Sequence, residues 1–348
     1  MKNIFRAFLI LLIVAASYAL FIQYGSTPEK IVKEDKPQVS NNDAKKENKL
    51  NIPSSGLLSF IGESAETVEK KLGKPDRIDP SAYDYEWWVY NKGAKQYVQI
   101  GILNDKAVTL FVTGDKVNTA PFTIGQPARD VFKKTQIAPH VNVKYDGSSY
   151  RFEFSEEDMN TRPTVKLENV YVQLYMDKFE GTLSSIRAFD AATLIKQRPY
   201  EVVYRGSLIE PKALTESDWQ KIEKANEKQI FDLTNVIRSR HGLSQLEWDE
   251  AVAKVAYGHS SDMKEHRYFS HVSKTEGTLK DRLEKGNVNF EQAGENIALN
   301  YVDGPAAVEG WLNSEGHRKA LLNADYTHLG VGVDEKYYTQ NFIKQWNE

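Results

Sequence analysis

The residues Gly294-Glu295-Asn296-Ile297-Ala298, with Trp311-Leu312-Asn313-Ser314-Glu315-Gly316-His317-Arg318 after them, carry the strongest fold signal in the chain. The leading glycine reads as a turn that presents the carboxylate of Glu295. His317 falls in the first turn of a short helix, with Ser314 at the position of its N-cap. Upstream, Tyr268-Phe269-Ser270-His271 supplies a second imidazole from a turn. Three segments thus offer two imidazoles and one carboxylate. They form a site only in a fold that gathers them.

Around this stretch the apolar spacing switches between helical and strand periods. A helix starts near Thr215 and carries Trp219, Ile222, Ile230, Leu233, Val236 and Ile237 to a stop at Gly242. Asp249 caps a second helix with Val252, Val255, Ala256, His259 and Met263 on one face, so His259 points with the apolar stripe. It reads as a structural or cleft-lining residue. Short helices follow over 278–285, 305–312 and 317–322. Trp311, at helical spacing from Val308, reads as core. Gly330-Val331-Gly332-Val333 and residues 337–342 close the chain as a hairpin of strands. Helices on both sides of a small, late sheet make an α-β-α sandwich over 225–346.

Farther upstream lies an internal repeat. Ile61-Gly62-Glu63-Ser64-Ala65 recurs 63 residues later as Ile124-Gly125-Gln126-Pro127-Ala128. Each copy opens a helix, then reads as strands: 85–90, 97–103 and 107–113 in the first, 150–154, 170–176 and 183–189 in the second. Two α-β-β-β units in one α+β module, residues 57–195, are expected. Residues 196–224 read as a connector and helix start. Tyr85, Trp87, Trp88, Tyr90 and Tyr97 read as packing between half-sheets, with an aromatic platform for sugar or peptide as the alternative.

At the amino end, Lys2 and Arg6 flank an apolar run over 7–22, which reads as a signal peptide or an uncleaved membrane anchor within 1–24. Residues 25–56 are rich in Lys, Glu, Asn, Pro and Ser and read as a disordered polar linker. The cell membrane is the expected partner, and the rest of the chain is expected to be extracytoplasmic. The chain has no cysteine, which excludes disulfides, thiolate zinc sites and a cysteine nucleophile. The net charge is −3, with Arg and Lys dispersed, which gives no reason to expect nucleic acid. The chain contains no G-x-S-x-G, no P-loop and no H-E-x-x-H.

Several motifs stand in a fixed order: Asn235-x-x-Arg238, Gly242-Leu243-x-x-Leu246-x-Trp248-Asp249, His259-Ser260-x-Asp262-Met263, Phe269-Ser270-His271, Arg282-Leu283 and the two stretches quoted first. They resemble the CAP superfamily (cysteine-rich secretory, antigen 5 and pathogenesis-related proteins) in its cysteine-free bacterial form. The module before them, with Trp87-Trp88-Val89-Tyr90 and a Gly73-Lys74-Pro75 turn, resembles the CAP-associated N-terminal domain. The resemblance implies a cleft with a tetrad of two histidines and two acids. His271 matches the first histidine, Glu295 the first acid and His317 the second histidine. Ser314 stands where the second acid is expected, and Glu315 is only its neighbour.

Two neutral imidazoles suit Zn²⁺ or a similar divalent cation, with Glu295 as third ligand or as base for a bound water. No cofactor is required by the sequence. The competing reading is a hydrogen-bonded polar network that pins the loops, with Ser314 capping the His317 helix. The first functional reading is a binding module for a lipid, peptide or cell-wall ligand. The alternatives are a metal-dependent hydrolase of an extracellular peptide or wall substrate, and a purely structural envelope protein.

Overall fold

A computed structural model of the chain describes residues 31–33 and 50–346. The proposed signal or anchor over 1–24 lies outside the described residues. Among those described, no helix is long and apolar enough to cross a membrane.

The N-terminal module begins with β1 (Ile31–Lys33), a one-turn helix at Leu57–Phe60, then α1 (Ala65–Leu72). Ser64 caps α1 through the Thr67 N–H, and Gly73 ends it at positive φ. Strands β2 (Arg77–Pro80), β3 (Glu86–Asn91), β4 (Tyr97–Leu103) and β5 (Lys106–Val112) complete the first copy. The second copy holds α2 (Ala128–Lys134), β6 (His140–Tyr145), β7 (Ser148–Glu153), α3 (Glu156–Thr161), β8 (Thr164–Leu167), β9 (Val170–Asp177) and β10 (Thr182–Phe189). Helix α4 (Ala191–Gln197) and β11 (Glu201–Arg205) end the module.

The repeat is real in three dimensions. Gly62 N–H donates to Ala107 O at 2.7 Å, and Gly125 N–H donates to Leu183 O at 2.8 Å, so each copy ties its helix start to its last strand in the same way. Those last strands, β5 and β10, pair at the centre of a seven-stranded sheet ordered β2-β3-β4-β5-β10-β9-β8. The copies are less alike than α-β-β-β units. The first has an added strand, β2, and the second sends β7 out of the common sheet. Strand β7 pairs instead with β6 on one side and β11 on the other, in a sheet ordered β1-β11-β7-β6.

Two parts of the expected linker are ordered. Ile31–Lys33 pairs in parallel with Val202–Tyr204, and Leu50 and Ile52 pack on the module core. An edge strand leaves backbone N–H and C=O groups unpaired, and these recruit an extended segment whatever its side chains. Composition measures side-chain burial and is blind to that pairing.

In the C-terminal module, Thr215 and Asp218 form a capping box for α5 (Glu216–Arg240). There follow β12 (Glu247–Trp248), α6 (Glu250–Glu265) capped by Asp249, α7 (Leu279–Lys285), β13 (Gln292–Leu299), α8 (Gly304–Leu312), α9 (Glu315–Leu321), β14 (His328–Asp334) and β15 (Tyr337–Lys344). The sheet order is β12-β14-β15-β13. Helix α6 lies directly on β14. A Cβ at Gly332 would sit 1.9 Å from Tyr257 N, so only glycine allows this approach. Even-numbered Tyr338 and Phe342 face α5 and α8, while Ile343 faces α6 and α7. The α-β-α layering is as the sequence implies.

The aromatic cluster does the expected packing only in part. Strand alternation splits it: Trp88 and Tyr90 face the core under α1 and α2, while Tyr85, Trp87 and Tyr97 share a core with Ile230, Leu233, Val308 and Trp311 of the C-terminal module. Trp87 is 1% exposed, and burying such a ring contributes roughly 3 kcal/mol. The two modules are therefore welded through one core. Polar contacts seal the seam. Arg187, fully buried, makes two bonds to Asp303 at 2.8 and 2.7 Å, and Arg77 bonds Asp232 at 3.0 Å.

Candidate functional site

Glu295 is not in a turn. It lies mid-strand in β13, with Asn341 of β15 as its register partner. The glycine before it serves a different purpose. A Cβ on Gly294 would sit 2.3 Å from the Tyr326 hydroxyl, so glycine is there to admit that ring. The strand carries Glu295 inward under α6 and α7, where it is buried.

Both carboxylate oxygens are engaged. Oε1 accepts from His271 Nδ1 at 2.9 Å, and Oε2 accepts from Arg282 Nη2. His259 Nε2 stands 3.9 Å from Oε1 and 3.0 Å from the Ser270 carbonyl. Burial by itself would raise the Glu295 pKa. The hydrogen bond from His271 and the charges of Arg282 and His259 overcome it and hold the group below its ordinary value. Burial pushes the His259 pKa down, against the pull of Glu295.

Arg282 does more than neutralise. Its Nη1 donates to the carbonyls of His271 and Gly277, each at 3.0 Å, so one guanidinium ties the His271 loop to the carboxylate. Asp262 holds the same loop from the other end. It accepts from Ser273 Oγ at 2.6 Å, Thr275 Oγ1 at 2.8 Å and the Tyr268 hydroxyl, and it pairs with His266 at 2.9 Å. Neither residue was singled out as functional from sequence. The available signal for Arg282 was its place beside Leu283 in a short helix opened by the Thr278–Asp281 capping box.

His317 is the third residue of α9, half-buried, with its ring centroid 6.4 Å from that of the exposed His271. Burial, helped by the neighbouring His271, pushes its pKa down to about 4, so it is neutral at physiological pH. Asn296 donates to the His317 carbonyl at 3.1 Å and to Gln340 Oε1 at 3.2 Å, a scaffold role. Ser314 does occupy the N-cap position, but its side chain makes no capping bond. Glu315 is exposed and pairs with Lys319 at 2.7 Å. Trp311 is core, donating to Ile297 O at 2.9 Å. The three candidates His271, Glu295 and His317 are thus brought together.

The sequence pattern of the cysteine-rich secretory protein family matches residues 231–345, and that of the CAP-associated N-terminal domain matches residues 61–200. A Bacillus subtilis protein described as uncharacterized membrane protein YlbC is 69% identical over 346 residues, spanning 99% of this chain and 100% of its own. The chain belongs to the CAP family. A solved extracellular protein with an SCP domain from Bacillus anthracis is 49% identical, covering 86% of this chain and 99% of its own at a TM-score of 0.81. A Staphylococcus aureus cysteine-rich secretory protein shares the fold at a TM-score of 0.75 and 24% identity, over 91% of this chain and 100% of its own.

Measured as a CAP site, the tetrad is incomplete. Ser314 brings no carboxylate, and Glu295 is held by a guanidinium that competes with any cation for its oxygens. Among the described residues, no group of three or more His, Asp or Glu is placed to hold a metal. A catalytic zinc takes three protein ligands, and this CAP module offers two imidazoles, one of them, His271, already bonded to Glu295 through Nδ1. The donor set fits a two-imidazole contact and does not fit a resident metal centre.

Proposed function

We propose that the CAP module binds a lipid, peptide or cell-wall ligand of the envelope through the surface bearing His271 and His317, without hydrolysing it. The engaged state of Glu295 carries this reading. A general base must accept a proton from its substrate or water, yet both oxygens of this carboxylate are already bonded, one of them to a permanent cation. What stays accessible is a pair of imidazoles 6.4 Å apart. Neutral imidazole offers one donor, one acceptor and an apolar face, which suits recognition of amide or headgroup chemistry. The relatives described as a membrane protein and as an extracellular protein support a place at the outer face of the membrane, tethered by residues 1–24.

The test is co-sedimentation of the chain with purified peptidoglycan and, separately, with lipid vesicles. The His271→Ala/His317→Ala double variant is expected to lose at least tenfold in affinity for whichever ligand the parent binds. Undiminished binding would move the ligand away from this cleft. Chelator-sensitive turnover of a wall peptide, lost in Glu295→Gln, would replace the binding reading with the hydrolase.

A further inference from the structure

The turn that carries His317 is held from the other module. On one side of it, Asn313 Nδ2 donates to Met176 O at 2.8 Å, and Asn313 Oδ1 accepts from Lys178 N–H at 2.9 Å. On the other side, Arg318 Nη1 donates to Asp177 Oδ2 at 2.8 Å and Nη2 to Glu180 Oε1 at 3.3 Å. The Arg318 guanidinium also lies 5.0 Å from the centre of the Phe179 ring. Five consecutive residues of the β9–β10 corner, 176 to 180, therefore grip both ends of the segment 313–318. Within its own module the segment is held by Arg318 Nη1 to Leu312 O and Asn313 Nδ2 to Glu309 O, each at 3.2 Å, and by Asn296 on the His317 carbonyl, while the Ser314 side chain caps nothing.

Asp177 is the centre of that grip. It is buried, and its Oδ1 accepts from the Phe179 and Glu180 N–H groups, each at 3.0 Å, which fixes the corner while Oδ2 holds Arg318. We propose that Asp177 is a positioning residue of the CAP cleft: through Arg318 it sets where His317 stands relative to His271. The N-terminal module is then part of the site. This deepens the cleft-binding reading and rests on it for its functional consequence.

The experiment is hydrogen exchange by mass spectrometry on the full chain in detergent, with peptidoglycan and vesicle binding measured in parallel. Asp177→Asn keeps the backbone acceptor and removes the charge. It should speed exchange about tenfold over 313–322, leaving the rest of the C-terminal module within about twofold. Arg77→Gln breaks a different bond across the seam, and should lower Tm without that local signature. Arg318→Lys, which keeps the charge and loses the fork, should give an intermediate change and serves if Asp177→Asn does not fold. Uniform exchange in both Asp177→Asn and Arg318→Lys would overturn the proposal, reducing Asp177 to a seam residue. Local loosening with unchanged binding of either ligand would uphold the positioning and sink the cleft as the binding surface.

Discussion

Two buried arginine–carboxylate pairs in this molecule look alike and are used differently. At the seam, Arg187 is fully buried and Asp303 nearly so, with Trp87 and Phe111 within 6 Å of the guanidinium and Asp303 also capping α8. In the cleft, Arg282 and Glu295 are just as buried, but the lid over them is the exposed ring of His271. Arg187's other side-chain partner among the described residues is the neutral amide of Gln197, at 3.3 Å. The cleft pair has two imidazoles beside it. A closed pair specifies one docking arrangement, whereas a pair with imidazole neighbours leaves polar surface for a ligand.

That contrast breaks most visibly at Asp303. Asp303→Ala strands a buried guanidinium and removes a helix cap, and should cost about 4 kcal/mol in thermal unfolding. Arg187→Met combined with Asp303→Leu should recover most of it, since an apolar pair of similar volume tolerates the site. If Asp303→Ala changes Tm by less than a degree or two, the seam is not the welded core described above.

Glu309 sharpens the same comparison through pH. It is buried on α8 at the seam, and a bulge in β10 lets both Ser184 and Ser185 donate to its Oε1. Burial raises its pKa to about 7, against the pull of the serines and Arg240. The folded pKa lies above the unfolded value. Its contribution is therefore fully present below about pH 4.5 and is lost as the pH climbs to about 7, by roughly 3 kcal/mol. Glu309→Gln should flatten that limb of the stability profile. His317 acts with the opposite sign, its lowered pKa withdrawing stability as the pH falls from about 6.5 toward 4. Acidification thus favours the seam and strains the cleft.

In the cleft, Arg282→Met should cost about 2 kcal/mol, less than the seam pair, because His271 and His259 remain beside Glu295. With the cation gone, burial dominates and the Glu295 pKa rises. Part of the loss should then return as the pH is lowered, which urea unfolding at two pH values would detect. A loss as large as that of Asp303→Ala would mean the imidazoles offer no compensation.

Sequence carried the local layer of this structure well. Thr215 and Asp249 announce their helices, and the repeat at Ile61 and Ile124 survives as matched hydrogen bonds. His271, Glu295 and His317 were legible through the resemblance of their motifs, not through spacing. What escaped was set by partners far along the chain. Gly294 looked like a turn because nothing nearby reveals Tyr326, and Trp87 looked like intramodule packing because α5 lies more than a hundred residues on. The grip of Arg282 on Glu295 spans only 13 residues and escaped because it depends on how a short helix packs against a strand, which no local pattern encodes. Local rules know caps and periods, and they do not know which face another module will cover.

The smallest expected effect falls on Ser314, and it tests the reading of the missing acid. Ser314→Ala removes a side chain that makes no capping bond, so Tm should barely move, against about 1 kcal/mol for a working N-cap. Ser314→Asp is the informative partner. It puts a carboxylate at the start of α9, three residues before His317, where the helix dipole favours negative charge by about 0.5 kcal/mol. It also offers the imidazole pair the third donor it lacks. Calorimetric titration with Zn²⁺ should show binding that is weak or absent in the parent and tightens at least tenfold in Ser314→Asp. If the parent already binds zinc at micromolar concentration, with His317→Ala abolishing it, the site needs no carboxylate at position 314. If neither form binds, the 6.4 Å pair is set for an organic ligand and the serine has no metal to answer to.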